Sequence, residues 1–288
     1  MTARTIGRQI CGLLVTALVG GLAAATLVRL APGSGVDERE FDPRLSESSV
    51  QALRASRAES RNVGKFYLNY LSGLVRGDFG VSSSLRRPVA ELLAERGPVT
   101  LHLAGCGLAG GWALGLSLAV LAAARSRPTV ALFSSSLCAL LLCLPAALIG
   151  LVVLFARAGG WWAIALIVFP KIFSYARSLL EKVSRQPYIV LARAKGLGDT
   201  RIWLRHILPG AMPELLALAG VSVSLAFSAA IPVEAVCDIP GVGQLAWQAA
   251  LGRDLPVLVT ATLLLVLITR LANLTADAAV TAFRPETA

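Results

Sequence analysis

The side chains that could do chemistry in this chain are few and scattered. Its two histidines, His102 and His206, lie far apart and lack ligand-like neighbours. The five cysteines, Cys11, Cys106, Cys138, Cys143 and Cys237, form no Cys-x-x-Cys pair. Four of them sit inside apolar runs, where a thiol acts as a small apolar filler. No His-Glu-x-x-His, Gly-x-Ser-x-Gly or Walker A sequence occurs, so no catalytic, metal-binding or cofactor-binding residue is expected. An intramembrane enzyme needs buried catalytic groups facing one another. Only Glu214, Arg270 and Asp277 come near the apolar runs, and they fall at the ends. If the protein works on a nucleotide, another chain binds it.

What remains is chemistry of recognition. Ala192-Arg193-Ala194-Lys195-Gly196-Leu197 through Leu208-Pro209 is a polar, basic, helix-like segment between two apolar ones. Ser222, Ser224 and Ser228 are spaced to offer hydroxyls along one helix, although such serines also bond back to their own helix carbonyls. Glu234 and Asp238 precede a turn through Ile239, Pro240, Gly241, Val242 and Gly243. They could meet a cationic group such as a peptide amine, or cap that turn.

The elements that must position these residues are membrane spans. Of the 288 residues 56% are hydrophobic and 15% charged, with a mean hydropathy of +0.69. Soluble domains carry roughly 25% charge, so this excess of apolar side chains, gathered in uncharged runs, predicts an all-α integral membrane protein. Six transmembrane helices are expected: Gln9 to Val28, Gly97–Ala124, Pro128–Ala156, Ala158–Ala176 interrupted by Lys171, Leu215 to about Val233, and a last one from near Leu255. About 20 residues cross a hydrocarbon core of roughly 30 Å. For the first run a cleaved signal peptide is the competing reading, but its apolar core exceeds the usual ~7–15 residues.

Six spans put both termini on one side, and the positive-inside rule chooses it. Arg4, Arg8, Arg125, Arg127, Arg177, Lys182, Arg185, Arg193, Lys195, Arg201, Arg205 and Arg284 share one face, against Arg157 and Arg253 in the short loops of the other. Both termini are therefore expected in the cytoplasm. The net charge of +10 follows from this bias, and no basic stripe interleaved with aromatics suggests nucleic acid. The organisation reads as a cytoplasmic N-terminus and first span over 1–30, an external segment over 31–96, and a five-helix core over 97–284 that carries a cytoplasmic loop at 177–209. In the external segment, Ser46 to Asn62 reads as a polar helix and Lys65–Val75 as an amphipathic one.

The cytoplasmic loop has its own pattern. Glu181 and Arg185 stand at i, i+4 spacing, Pro187 restarts the helix, and Ile189 to Lys195 forms a short one. Gly196 and Gly198 permit a sharp turn. Asp199 or Thr200 can cap a second short helix, Arg201–Leu208, which would present Ile202 and Trp203 with the basic groups. Pro209 and Pro213 mark entry to the fifth span. The loop could equally lie in the headgroups as a plain amphipath.

Gly196 followed twelve and thirteen residues later by Leu208-Pro209 resembles the EAA-type loop of binding-protein-dependent ABC importer permeases. "ARAKGL…RHILPGAMPELL" is similar to the dipeptide/oligopeptide/nickel branch of that family. So are "LVRLAPG" at Leu27–Gly33, the segment Tyr67 to Ala104, Glu234 with "IPGVGQL" at Ile239–Leu245, and Asn273 with Asp277. These pieces run in family order over most of the chain. Val190 and Leu191 stand where the wider EAA pattern has Glu and Ala, the link around Arg157–Gly160 is short, and Lys171 is unusual.

The resemblance implies the type I ABC importer permease fold and a transmembrane subunit that forms half of a peptide pathway. It implies cytoplasmic ATPase subunits that carry ATP and magnesium, a second homologous permease, a heterodimer more than a homodimer, and an external solute-binding protein, all at a bacterial inner membrane. Ala192, Arg193, Ala194, Lys195, Gly196, Leu197, Leu208 and Pro209 would form the ATPase-coupling loop. Ser224, Ser228, Glu234, Gly241 and Gly243 would line the pathway or its external gate. The alternatives are nickel, glutathione or another small solute on the same architecture, or a non-transporting membrane scaffold.

Overall fold

The computed structural model of this chain describes residues 76–124 and 128–283, with single positions at 12, 15, 19, 20, 22, 26, 72 and 73. The expected helices at Ser46–Asn62 and Lys65–Val75, the Arg125–Arg127 link and both terminal basic clusters lie wholly or mostly outside the described residues. The first span is described at six positions, all helical.

Among the described residues from Val89 onward there are nine α-helices, here α1 Val89–Ala124, α2 Pro128–Cys143, α3 Ala146–Phe155, α4 Trp161–Ser184, α5 Pro187–Ala194, α6 Asp199–Ile202, α7 Leu208–Val236, α8 Val242–Leu251 and α9 Leu255–Phe283. Among the described residues the only β pairing is a single bridge, Val81 to Pro88. Four helical stretches are long and apolar enough to cross a membrane, and α2 with α3 makes a fifth if the bent pair counts as one. The run Pro128–Ala156, expected as one span, is thus broken, with a bend of 104°. Pro145 explains it: the ring removes an amide donor and drives Leu144 out of the helical region.

The chain divides into two compact units, one built on Pro98–Gln244 with Ile268–Ala288, the other on Arg4–Gly97 with Leu245–Leu267. In the first, α4 is the central element. Ala163, Ile164, Val168, Ile172, Phe173, Ala176 and Leu180 are all essentially inaccessible. They join two apolar clusters, one with Leu103, Ile149, Ala226 and Val233, the other with Ala119, Ile189, Ile207 and Leu215.

The approach of α1 to α4 rests on missing side chains. A Cβ at Gly107 would lie 2.5 Å from Ile164 Cβ, one at Gly111 3.3 Å from the Ala165 carbonyl, and one at Gly115 2.8 Å from Ile172 Cγ2. Gly105, two residues before Gly107 and so on another face, looks onto open space. Small residues let helix backbones pack closely in an apolar medium where hydrophobic drive is absent. Across the same unit, Trp112 Nε1 donates to Ser222 Oγ at 2.9 Å, and that hydroxyl donates back to Ala219 O at 2.8 Å. A Cβ at Gly220 would meet Ala276 and Asn273 of α9.

The second unit contains a polar clasp. Residues 80–88 form a tight loop closed by Ser82 N to Arg87 O and Val89 N to Gly80 O. Asp254, fully buried at the head of α9, holds it. Its Oδ2 accepts from Ser82 Oγ at 2.5 Å, Ser84 Oγ at 2.8 Å and Ser84 N at 3.0 Å. Burial pushes the Asp254 carboxyl up, but the hydroxyls of Ser82 and Ser84 and the amides of Ser83 and Ser84 outweigh it, so the group titrates below its ordinary value.

Two predictions follow from these contacts. Replacing Gly115 with Leu should lower stability by about 1–3 kcal/mol, read as thermal unfolding of the detergent-solubilised protein, while Gly105→Ala should be near neutral. For the clasp, a depressed carboxyl stabilises above its unfolded pKa of about 3.9, and that stability disappears as pH falls through the lower folded value. Amide exchange at Ser82 and Val89, corrected for intrinsic rate, should stay flat from pH 8 to about 5 and rise only in stronger acid. Asp254→Asn should raise it at neutral pH by about thirtyfold, near 2 kcal/mol for a lost charge-assisted bond.

Candidate functional site: a handle loop and a buried glutamate turn

The handle begins where α4 ends. Ser184 is its last residue, Gln186 is extended, and Pro187 opens α5 at its first position, where a missing amide costs nothing. The short helix ends in a Schellman turn: Leu197 N donates to Ala192 O at 3.3 Å, and Gly196 N to Arg193 O at 2.9 Å. Gly196 takes the left-handed conformation this turn needs, φ +74°. Nothing stands near its absent Cβ, so the constraint there is backbone conformation.

Ile189 and Ala192 are buried in the apolar cluster that also contains Leu179, Leu180 and Val183 of α4. Arg193, Ala194, Lys195 and Gly196 are exposed, Leu197 and Leu208 are half-buried, and Pro209 is exposed. Tyr188, Val190, Leu191 and Leu204 present uncovered apolar side chains, 47–63% accessible. Sequence reasoning named none of these four as contact residues. The signal available was phase, since with Ile189 and Ala192 facing in, positions 188, 190 and 191 face out.

The second half of the loop departs from expectation. Asp199 does start a helix, but α6 runs without a break through a π-helical turn at Trp203–Ile207 into α7. The combined helix extends over Asp199–Val236, 38 residues, so no separate short helix exists. Pro209 is accommodated because the wider π turn precedes it, relieving the ring's clash with the preceding carbonyls. The π turn also shifts the phase, so Ile202 is buried and Trp203 half-buried, while Leu204 takes the outward position. The expected Glu181–Arg185 pair is replaced by Arg177 Nε to Glu181 Oε1 at 2.8 Å, and Lys182 approaches Glu214 at 3.8 Å.

At the other end of α7, Ser224 is half-buried and Ser228 exposed. Glu234 is completely buried. Its Oε2 accepts from Gly243 N at 2.6 Å and Gln244 N at 3.2 Å, at the N-terminus of α8, where a carboxylate complements the helix dipole. A side chain at Gly241 would collide with the Glu234 carboxylate, and one at Gly243 would lie 2.6 Å from Ile231 Cα. Both glycines are therefore required by close approach. Asp238 takes a left-handed φ of +53° and accepts from Gln244 Nε2, and Val242 N donates to Thr100 Oγ1 at 2.8 Å. Glu234, Gly241 and Gly243 are thus brought together, while Ser224 and Ser228 stand two to three turns away along α7.

Three comparisons with known proteins bear on this arrangement. Residues 115–288 match the family model described as binding-protein-dependent transport system inner membrane component. A Brucella ovis protein, named provisionally as a peptide permease, is 30% identical over 90% of this chain and 91% of its own length. The glutathione transport system permease protein GsiC of Escherichia coli is 25% identical over 96% of each. Among solved structures, the MetNI methionine ABC transporter in an inward-facing conformation aligns with a TM-score of 0.60 at 19% identity, over 67% of this chain and 97% of that one. This last likeness supports the fold alone, an all-α type I importer permease. The chain belongs to the inner membrane component family of binding-protein-dependent transport systems, and is the transmembrane permease of an ABC importer.

Proposed function

We propose that this chain imports small peptides as one of two homologous, non-identical permeases, with both termini in the cytoplasm of a bacterial cell. It binds no cofactor and performs no catalysis of its own; ATP and magnesium belong to the ATPase subunits below it. The names of the relatives support the substrate class, since glutathione is itself a small peptide with free carboxylates. Glutathione is the second reading, favoured by the 96% coverage of both chains.

The observation that carries the mechanism is the continuous helix Asp199–Val236. Val190, Leu191 and Leu204 form an apolar knob suited to a groove on the ATPase, with Arg193 and Lys195 beside it. Closure of the ATPase dimer displaces this knob. Because α6 and α7 share one helix, the displacement passes along the axis toward Ser224, Ser228 and the Glu234 turn without a hinge. Gly196 sets the angle between α5 and that helix.

A tagged chain from gently solubilised membranes should bring down an ATPase and a second permease. Ala194→Glu, on the exposed face, should abolish recovery of the ATPase at unchanged protein level. Gly196→Val should cut it at least about tenfold, through the cost of a β-branched residue at positive φ. Ala192→Glu would act differently, because it buries a charge against α4 and unseats α5. A chain recovered alone, in a detergent that preserves such complexes, would instead support the scaffold.

A further inference from the structure

Lys171 is a charge in an apolar stretch. It is the eleventh residue of α4 and the only charged one between Trp161 and Ala176. Along the axis it lies about 9 Å from Arg177, the first of the cytoplasmic charges. Its neighbours Pro170, Ile172 and Phe173 are buried, whereas Lys171 is exposed and has no ion pair among the described residues. An ionisable residue at such depth marks a functional path by default.

The face it occupies is polar along its length. Lys171, Ser174, Tyr175, Ser178 and Lys182 follow at i, i+3, i+4, i+7 and i+11, all exposed. On α7, packed beside α4, Glu214, Ser224 and Ser228 fall at comparable spacing, and Glu214 meets Lys182. The contrast lies in α2 and α3, whose uncovered residues are Leu132, Phe133, Leu140, Val152 and Phe155. Those are surfaces for lipid. The α4 stripe is a surface for water and solute. Its carboxylates, Glu181 and Glu214, lie toward the cytoplasmic end and each faces a cation there, Arg177 or Lys182. Lys171 therefore leaves a net positive charge on the stripe, apart from those pairs and within the apolar stretch of α4, where an ion pair is worth more than in bulk water.

We propose that Lys171 is an anion-recognition residue of the solute pathway, its ammonium receiving a carboxylate of the passing solute and selecting for solutes that carry one. The proposal rests on the importer reading above, in which this stripe lines a path shared with the second permease. A peptide that keeps a free terminal carboxylate satisfies it, and a blocked or purely cationic solute does not. Ser174 and Tyr175, one turn away, supply hydroxyls suited to the same group.

The test needs neither a known substrate nor the ATPase. Ser174→Cys places a thiol one turn from Lys171, and its modification is followed in native membranes by mass spectrometry of the peptide that contains it. An anionic sulfonatoethyl and a cationic trimethylammonioethyl methanethiosulfonate serve as probes. The ratio of their rates is normalised to that for 2-mercaptoethanol. We expect the normalised ratio to favour the anion by about tenfold, to fall to about one when Lys171→Met is added, and to persist with Lys171→Arg. A thiol inert to both reagents would place the stripe in lipid or in a subunit contact and overturn the proposal. So would a ratio unchanged by Lys171→Met, including one set by an acidic group of the partner permease. Loss of the ATPase from the pull-down would count against the importer reading, while the rate ratio would still be read on this chain.

Discussion

The packing of α1 on α4 is the constraint on which the first unit depends. Where two helices meet in lipid, the medium gives no hydrophobic push, so contact must come from closeness itself. Gly107, Gly111 and Gly115 remove side chains along one stripe and let Ile164, Ala165 and Ile172 sit against bare backbone. With one flank of α4 closed in this way, its other buried positions hold α2, α3 and α7. The remaining stripe stays open, and it is the polar one. Packing and the exposed polar stripe are thus complementary outcomes of one helix's residue pattern.

The two ends of α7 are fixed by different means. Toward α5 the seating is apolar, through Ile189, Ala192, Ile202 and Ile207. Toward α8 it is polar, a buried carboxylate held by two backbone amides of the following helix. An apolar seat tolerates small sliding, because dispersion is not directional. A buried carboxylate bonded to fixed amides does not. The handle end is therefore built to adjust and the opposite end to hold.

Much of this was legible in the residues. Apolar runs located the spans because lipid demands uncharged stretches of set length, and Gly196 announced a left-handed turn because few other residues adopt one cheaply. Gly107, Gly111 and Gly115 recur every four residues, but spacing of this kind shows that a helix face is bare without showing what meets it. Two things were not legible. Proline in an apolar run reads as a break or as an entry point. Pro145 bends its span sharply, whereas Pro98, Pro170, Pro209, Pro213 and Pro232 are absorbed into unbroken helices, and residue type alone does not separate the two outcomes. Ile202 was assigned outward because the phase was counted without the extra residue of the π turn. Three helix ends turn at Arg157, Asp238 and Arg253 with φ of 53–55°, where glycine would have been the expected sign.

The π turn at Trp203–Ile207 carries one more consequence. It amounts to an extra residue wound into an otherwise regular helix, so it sets the angular offset between the handle and the span. Adding or removing a single residue there would leave the helix continuous and the core of α7 in place. It would rotate everything on the handle side by about 100° around the axis. Leu204 would then exchange places with a buried neighbour, and the knob would point elsewhere. In this chain the five residues of that turn act as an indexing ring. They fix which way the handle's exposed face looks independently of how far it reaches.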